Sequence, residues 1–293
     1  MGTFGGHALP GTFFLLFAFW YTVQIFNRYF QCRKRNARFT STVTFPCTCL
    51  CGRLKKWPLE SIMKIVLVII GFSGEIITGL RPGPYVILGN GQHATMFFAF
   101  GLSGVVELLL FFKAPLPTDV DYIANILAFT IELVLFTFHL HGRSELDVLL
   151  HVLLTYVIIA SLISAFIEMK FRHNVLAPLA RTYFVMLQGS WFWQVGFILY
   201  RPFPGKSPWK GDDHSQMMLI TIYFAWHSIA CFIIILLFGG IVSCYQKGRG
   251  VSYVDDDMIM KRLIHTGTNG QTLVSLNDDS ESDIEYQKPS TVK

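Results

Sequence analysis

Seven apolar runs, at about residues 9–27, 61–79, 93–112, 122–140, 148–169, 182–200 and 217–244, follow one another along the chain with polar stretches between them. A hydrocarbon core of roughly 30 Å needs about 20 apolar residues per helical crossing, and each run meets that length. The pattern predicts an all-α fold, a polytopic membrane domain of seven transmembrane helices over residues 1–245. Residues 246–293 lack sustained apolar periodicity and read as a cytosolic, largely disordered acidic tail. Arg81-Pro82-Gly83-Pro84 and Arg201-Pro202-Phe203-Pro204 end the second and sixth runs, because proline cannot donate to a helix and restricts the residue before it.

Charge sets the expected orientation. The loops after the first, third and fifth runs hold most of the Lys and Arg, and Lys247 and Arg249 follow the last run. Basic loops stay in the cytosol, so the N-terminus is expected to be lumenal or extracellular and the tail cytosolic. Eight basic side chains between Arg28 and Lys56 meet no acid, which reads as a topology determinant with anionic lipid as its contact; nucleic acid is not an expected partner. Composition agrees with the class: 52% of residues are hydrophobic and 15% charged, and a mean hydropathy of +0.46 is too high for a surface that faces water. The lipid bilayer is therefore the first expected partner.

Before the first run there is no basic n-region and no small-residue cleavage site, so that run is expected to act as its own insertion signal. Gly2 does not read as a myristoylation site, since Gly6 stands where Ser or Thr is wanted. Cys47, Cys49 and Cys51 alternate within the basic loop; without a nearby histidine they suit juxtamembrane palmitoylation better than a soft-metal site, against unmodified thiols as the plain alternative. Ser280 and Ser282 stand in an acidic cluster and are phosphorylation candidates, in a tail that could bind protein partners or simply solubilise.

Ionisable groups inside a membrane usually face the bundle interior. On the expected topology His7, His93, His139, His141 and His151 all approach the lumenal face, with Glu75, Gln194 and His227 somewhat deeper and Gln188 and Glu132 nearer mid-membrane. Neutral imidazoles suit zinc and related metals, which makes His93, His139, His141, His151 and His227 candidate ligands, with Glu75 or Asp147 as candidate catalytic carboxylates. His7, Gln188, Gln194 and Trp191 are expected to line the same cavity. Asp147 and His151 are four apart and share a helix face. Capping explains the same segment: Ser144 and Asp147 read as an N-cap with its acidic N3 residue, and Gly142 as a helix stop. One histidine layer could also hold a single haem. Glu168, beside Lys170 and Arg172, is expected to be paired or hydrated at the cytosolic interface.

Met1-Gly2-Thr3-Phe4 with Gly6-His7, His93-Ala94-Thr95-Met96, Phe138-His139-Leu140-His141-Gly142-Arg143, Leu187-Gln188-Gly189-Ser190-Trp191-Phe192 and Trp226-His227, taken in order, resemble the transmembrane protein 45 family. That resemblance implies an integral seven-span protein of endomembranes, in the Golgi, endosomal or lysosomal membrane or at the plasma membrane, and implies no established reaction. The residues themselves support a candidate lumen-facing metal-binding site; whether it catalyses is open, and metal-dependent hydrolysis of a lipid-like substrate is the reaction class that it would suit. A non-enzymatic trafficking or regulatory protein, or a single-haem b-type redox protein, are the alternatives. A tag at the N-terminus is therefore expected in the lumen and one after Arg249 in the cytosol. Protease protection in sealed microsomes reads both, and finding them on one side would refute an odd number of crossings.

Overall fold

Local capping signals set several helix ends in the computed structural model, which describes residues 3–45, 57–80, 84–140, 142–202 and 208–248. Thr3 accepts from the Gly6 N–H at 3.0 Å and starts α1 (Phe4–Lys34), which closes on Arg33 and Lys34, cations favoured by the helix dipole. There follow α2 (Leu59–Gly79), α3 (Pro84–Phe111), α4 (Val120–Phe138), α5 (Glu145–Lys170), α6 (Leu176–Tyr200) and α7 (His214–Gly248). Ser144 caps α5 by accepting from the Asp147 N–H at 3.4 Å. The expected stop of α4 at Gly142 is corrected: the helix ends at Phe138 with His139 as its C-cap, and Gly142, at φ +77°, turns the loop that follows.

Six of the seven helices are long and apolar enough to cross a membrane, and among the described residues no strand occurs. The helix outside that set is α6, although at 25 residues it is about 37 Å long. Its composition explains this: Arg181, Gln188 and several small residues lower its hydropathy, and it buries them in the middle of the bundle against α1, α5 and α7. By contrast α2 packs mainly on α3 and exposes Ile69, Ile70, Ile76 and Ile77. The body is thus apolar outside and polar inside, with Gln24, Asn125, Glu132, His151, Glu168, Arg181 and Gln188 all buried. That inversion is what an integral membrane protein requires.

One end of the bundle is closed by the segment after α1. Ser41 donates from its backbone to the Arg172 carbonyl at 2.7 Å and from its hydroxyl to Glu168 at 2.6 Å, and the Phe45 N–H reaches Glu60 at 2.9 Å. Glu168, expected at the interface with Lys170 or Arg172, is instead fully buried; its partners are Arg181, Ser41 and the Tyr122 hydroxyl, while Arg172 pairs with Asp119. Lys64 pairs with Glu107 nearby, both buried.

The tightest crossing is α1 on α6. A Cβ at Gly189 would lie 2.8 Å from the Gly11 carbonyl oxygen and 2.9 Å from the Leu15 nitrogen, and one at Gly11 would lie 2.9 Å from the Gly189 oxygen. Only paired glycines allow this backbone contact, which supplies dispersion where lipid gives no hydrophobic drive. Gly189→Leu should therefore cost about 2 kcal/mol or more by forcing two backbones apart, visible as a lower melting temperature in detergent. Gly240→Ala, which meets nothing within 4 Å, should leave the melt unchanged; equal effects would remove the crossing from this role.

Candidate functional site

At the end of the bundle where α1, α3 and α5 begin and α4 stops, four imidazoles gather. His7 comes from the second turn of α1, His93 from α3, His139 from the cap of α4 and His151 from the second turn of α5. Their ring centroids form a chain, His7 to His151 at 5.8 Å, His151 to His139 at 6.2 Å and His139 to His93 at 5.2 Å. They line a cavity of about 60 Å³ with Glu75, Glu132 and an aromatic floor that includes Phe14, Phe100 and Phe136.

Each ring is held from one side. The Nδ1 of His7 lies 3.2 Å from the Thr3 carbonyl, that of His151 2.8 Å from an Asp147 carboxylate oxygen and 2.9 Å from its carbonyl, that of His139 2.7 Å from the Gln92 amide oxygen, and that of His93 3.3 Å from Glu75. All these partners are acceptors: His7, His139 and His151 hydrogen-bond to theirs through Nδ1, His93 meets Glu75 in a 3.3 Å ion-pair contact, and in a neutral ring an Nδ1 donor leaves the Nε2 lone pair available. The acceptors are themselves fixed. Arg143 grips both oxygens of Asp147 at 3.0 and 2.9 Å and donates to the His139 carbonyl at 2.8 Å, and Asn90 holds Glu75 at 2.7 Å. An imidazole whose Nδ1–H is anchored on a carboxylate or carbonyl presents Nε2 outward, as metal-ligating histidines do.

Beneath the rings sits Glu132, 2% exposed. Gln188 donates to its Oε1 at 2.7 Å and itself accepts from Ser161 at 3.4 Å, whereas Glu132 Oε2 has no hydrogen-bond partner. Sequence reasoning placed Glu132 at mid-membrane without a role, and Gln92, Asn90 and Arg143 escaped it. A polar residue one helical turn from a candidate ligand was the available signal for Arg143.

Other expectations separate from this layer. His227 does not line the cavity; its Nδ1 meets the Ser190 hydroxyl at 3.2 Å and its ring stands against Trp191 at 5.5 Å. Trp191 is fully buried core, donating to the Leu150 carbonyl at 3.1 Å, and Gln188 lies a layer below with Glu132. Gln194 is half-buried and is not among the cavity residues. His141, Cys47, Cys49, Cys51, Ser280 and Ser282 fall outside the described residues. Among the described residues no three His, Cys, Asp or Glu side chains already close on one point with metal-ligand spacing. Two imidazoles on one tetrahedral zinc have centroids about 5–6 Å apart, a spacing that the neighbouring pairs in this chain of rings approach at 5.2–6.2 Å. The space suits an ion or a few waters, and not a haem macrocycle.

The family of unknown function DUF716 matches residues 118–239, from α4 to α7. Transmembrane epididymal protein 1A of Mus musculus is 25% identical, the alignment covering 99% of this chain and 96% of that protein. Transmembrane epididymal protein 1 of Rattus norvegicus is 25% identical over 85% of each chain, and the protein of that name from Homo sapiens is 31% identical over 60% of this chain and 68% of its own length. These relatives overturn the resemblance to the transmembrane protein 45 family. The Golgi, endosomal and lysosomal placement that it implied loses its basis with it.

If the rings act as one unit, their contributions to stability are coupled. His93→Ala and His139→Ala should each cost about 1 kcal/mol, and the double variant should cost less than the sum, because the first truncation already opens the layer. Thermal melts of the four proteins in detergent measure this, and strict additivity would make the two rings independent interfacial residues.

Proposed function

The chain belongs to the DUF716 family of unknown function, together with the transmembrane epididymal proteins, and we propose that it is a membrane-embedded metal-binding protein whose working ligands are His7, His93, His139 and His151. A divalent transition metal such as zinc would be held through Nε2. The observation that carries the reading is the anchoring of His7, His139 and His151 through Nδ1, with His93 against Glu75 beside them. Asp147 and Glu75 then orient the rings instead of acting as bases, which revises the catalytic role expected of them. We further take α6 as a seventh crossing, its polar side chains facing inward, so that this end of the bundle is lumenal or extracellular. A metal here would supply a polarised water for hydrolysis of a lipid-like substrate.

Elemental analysis of the detergent-purified full chain tests the reading. His139→Ala and His151→Ala should each remove most of the bound metal, since each deletes a ring from the middle of the chain of four. His227→Ala and His214→Ala should retain it. A metal-free parent protein, or equal losses in all four variants, would overturn the assignment.

A further inference from the structure

A second cavity, of about 80 Å³, lies directly beneath the histidine cavity and shares Pro10, Phe14, Phe97 and Phe100 with it. On α4 the two are stacked by helical period: Asn125 and Phe129 belong to the lower one, Glu132 and Phe136 to the upper. The lower walls are almost wholly apolar, and Phe13, Phe17, Leu67 and Val68 on them are only half-buried. These four come from α1 and α2, which scarcely touch each other, so the cavity is reached from the lipid side between those helices. We propose that the two cavities together bind a single-chain amphiphile, its hydroxyl head donating to Glu132 under the histidines and its chain leaving between α1 and α2 into the bilayer.

Two independent observations fix the direction. Glu132 Oε2 is buried without a partner, an arrangement costly enough that a ligand supplying the missing hydrogen bond is favoured there. At the far end Lys64 and Arg181 also reach the lower cavity, but Glu107 and Glu168 already neutralise them, so an anionic head gains little by lying there. The apolar stretch between the levels of His7 and Tyr21 on α1 is about 21 Å long, whereas the cavity within the protein is narrow. It therefore holds the first part of a chain and leaves the remainder to the lipid. The proposal names the substrate class of the histidine site, and it rests on that site being the working one.

The probe is a palmitoyl monoacylglycerol carrying a mid-chain diazirine, photolysed with the full-length protein in nanodiscs, with peptides read by mass spectrometry. Labelling that excess unlabelled monoacylglycerol competes away should concentrate on the α1 and α2 segments containing Phe13, Phe17, Leu67 and Val68. Glu132→Leu should weaken competition about tenfold by removing one hydrogen bond. Glu132→Gln keeps a hydrogen-bonding group at the cavity, its amide N–H donating to the ligand's hydroxyl oxygen where the carboxylate accepted from the hydroxyl, and should compete like the parent. Leu67→Trp, on the peripheral helix α2, should reduce labelling by filling the entry, and it keeps the test alive if Glu132→Leu melts too low to purify. Labelling spread over the lipid-facing helices without competition, or unchanged competition in Glu132→Leu and Leu67→Trp, would overturn the proposal. Metal measured in the same samples separates the two readings: competed labelling without metal refutes only the metal site, and metal without competed labelling refutes only the amphiphile.

Discussion

A polar side chain inside a bilayer has no water to fall back on, so every such group must find its partner within the protein. This bundle is arranged around that constraint. Arg181 and Glu168 sit on neighbouring helices, both fully buried, and the pair is completed by Ser41 and Tyr122. Removing one member of such a pair leaves a bare charge and costs about 3–5 kcal/mol. The same pair fixes α6 in the centre, since the helix carrying Arg181 and Gln188 cannot turn them to lipid. It also holds residues 39–45 inward through Ser41, although a segment so rich in basic neighbours would otherwise lie on the surface.

The histidine end obeys the constraint by halves. His7, His139 and His151 are satisfied at Nδ1 by a carbonyl or amide oxygen, His93 lies against Glu75, and the Asp147 and Glu75 carboxylates are gripped in turn by Arg143 and Asn90. The other nitrogens, and one oxygen of Glu132, are left to the cavity. The Arg181–Glu168 pair is met on more sides, by Ser41 and Tyr122, although Arg181 also reaches the lower cavity and Glu60, bonded to Phe45, keeps one unpartnered oxygen. What sets the histidine end apart is that four imidazoles and Glu132 border one cavity.

Much of this was legible in the spacing of apolar residues. The apolar runs found the seven helices, and loop punctuation brought His7, His93, His139 and His151 to one level. The Ser144 cap and the Asp147–His151 contact are compatible, because Asp147 uses its backbone N–H for the cap while its carboxylate lies against His151. Depth was less legible. The helix α7 begins at His214, so His227, 13 residues on, lies about 20 Å along it, and its ring meets Ser190 and Trp191 instead of the cavity. The partner of Glu168 was hidden for a related reason: Lys170 and Arg172 are near in sequence, but a turn between α5 and α6 brings Arg181 to the same depth from the facing helix.

Lateral access follows from the same distribution of partners. Every helix except α2 is tied to the interior by several buried contacts, and α2 buries only Glu60, Ser61, Lys64 and Gly71, most of them at one end. There Lys64 and Ser61 meet Glu107, and Glu60 receives Trp20 and the Phe45 N–H. Toward its other end α2 keeps Gly71 against Phe97 and Asn90 on Glu75, contacts made to α3 and not to α1. An α2–α3 hairpin pinned at one end and supported mainly by α4 leaves the α1–α2 seam as the place where helices can part at least cost. That seam borders the cavity floored by Glu132, so the weakest packing in the bundle adjoins its least satisfied carboxylate.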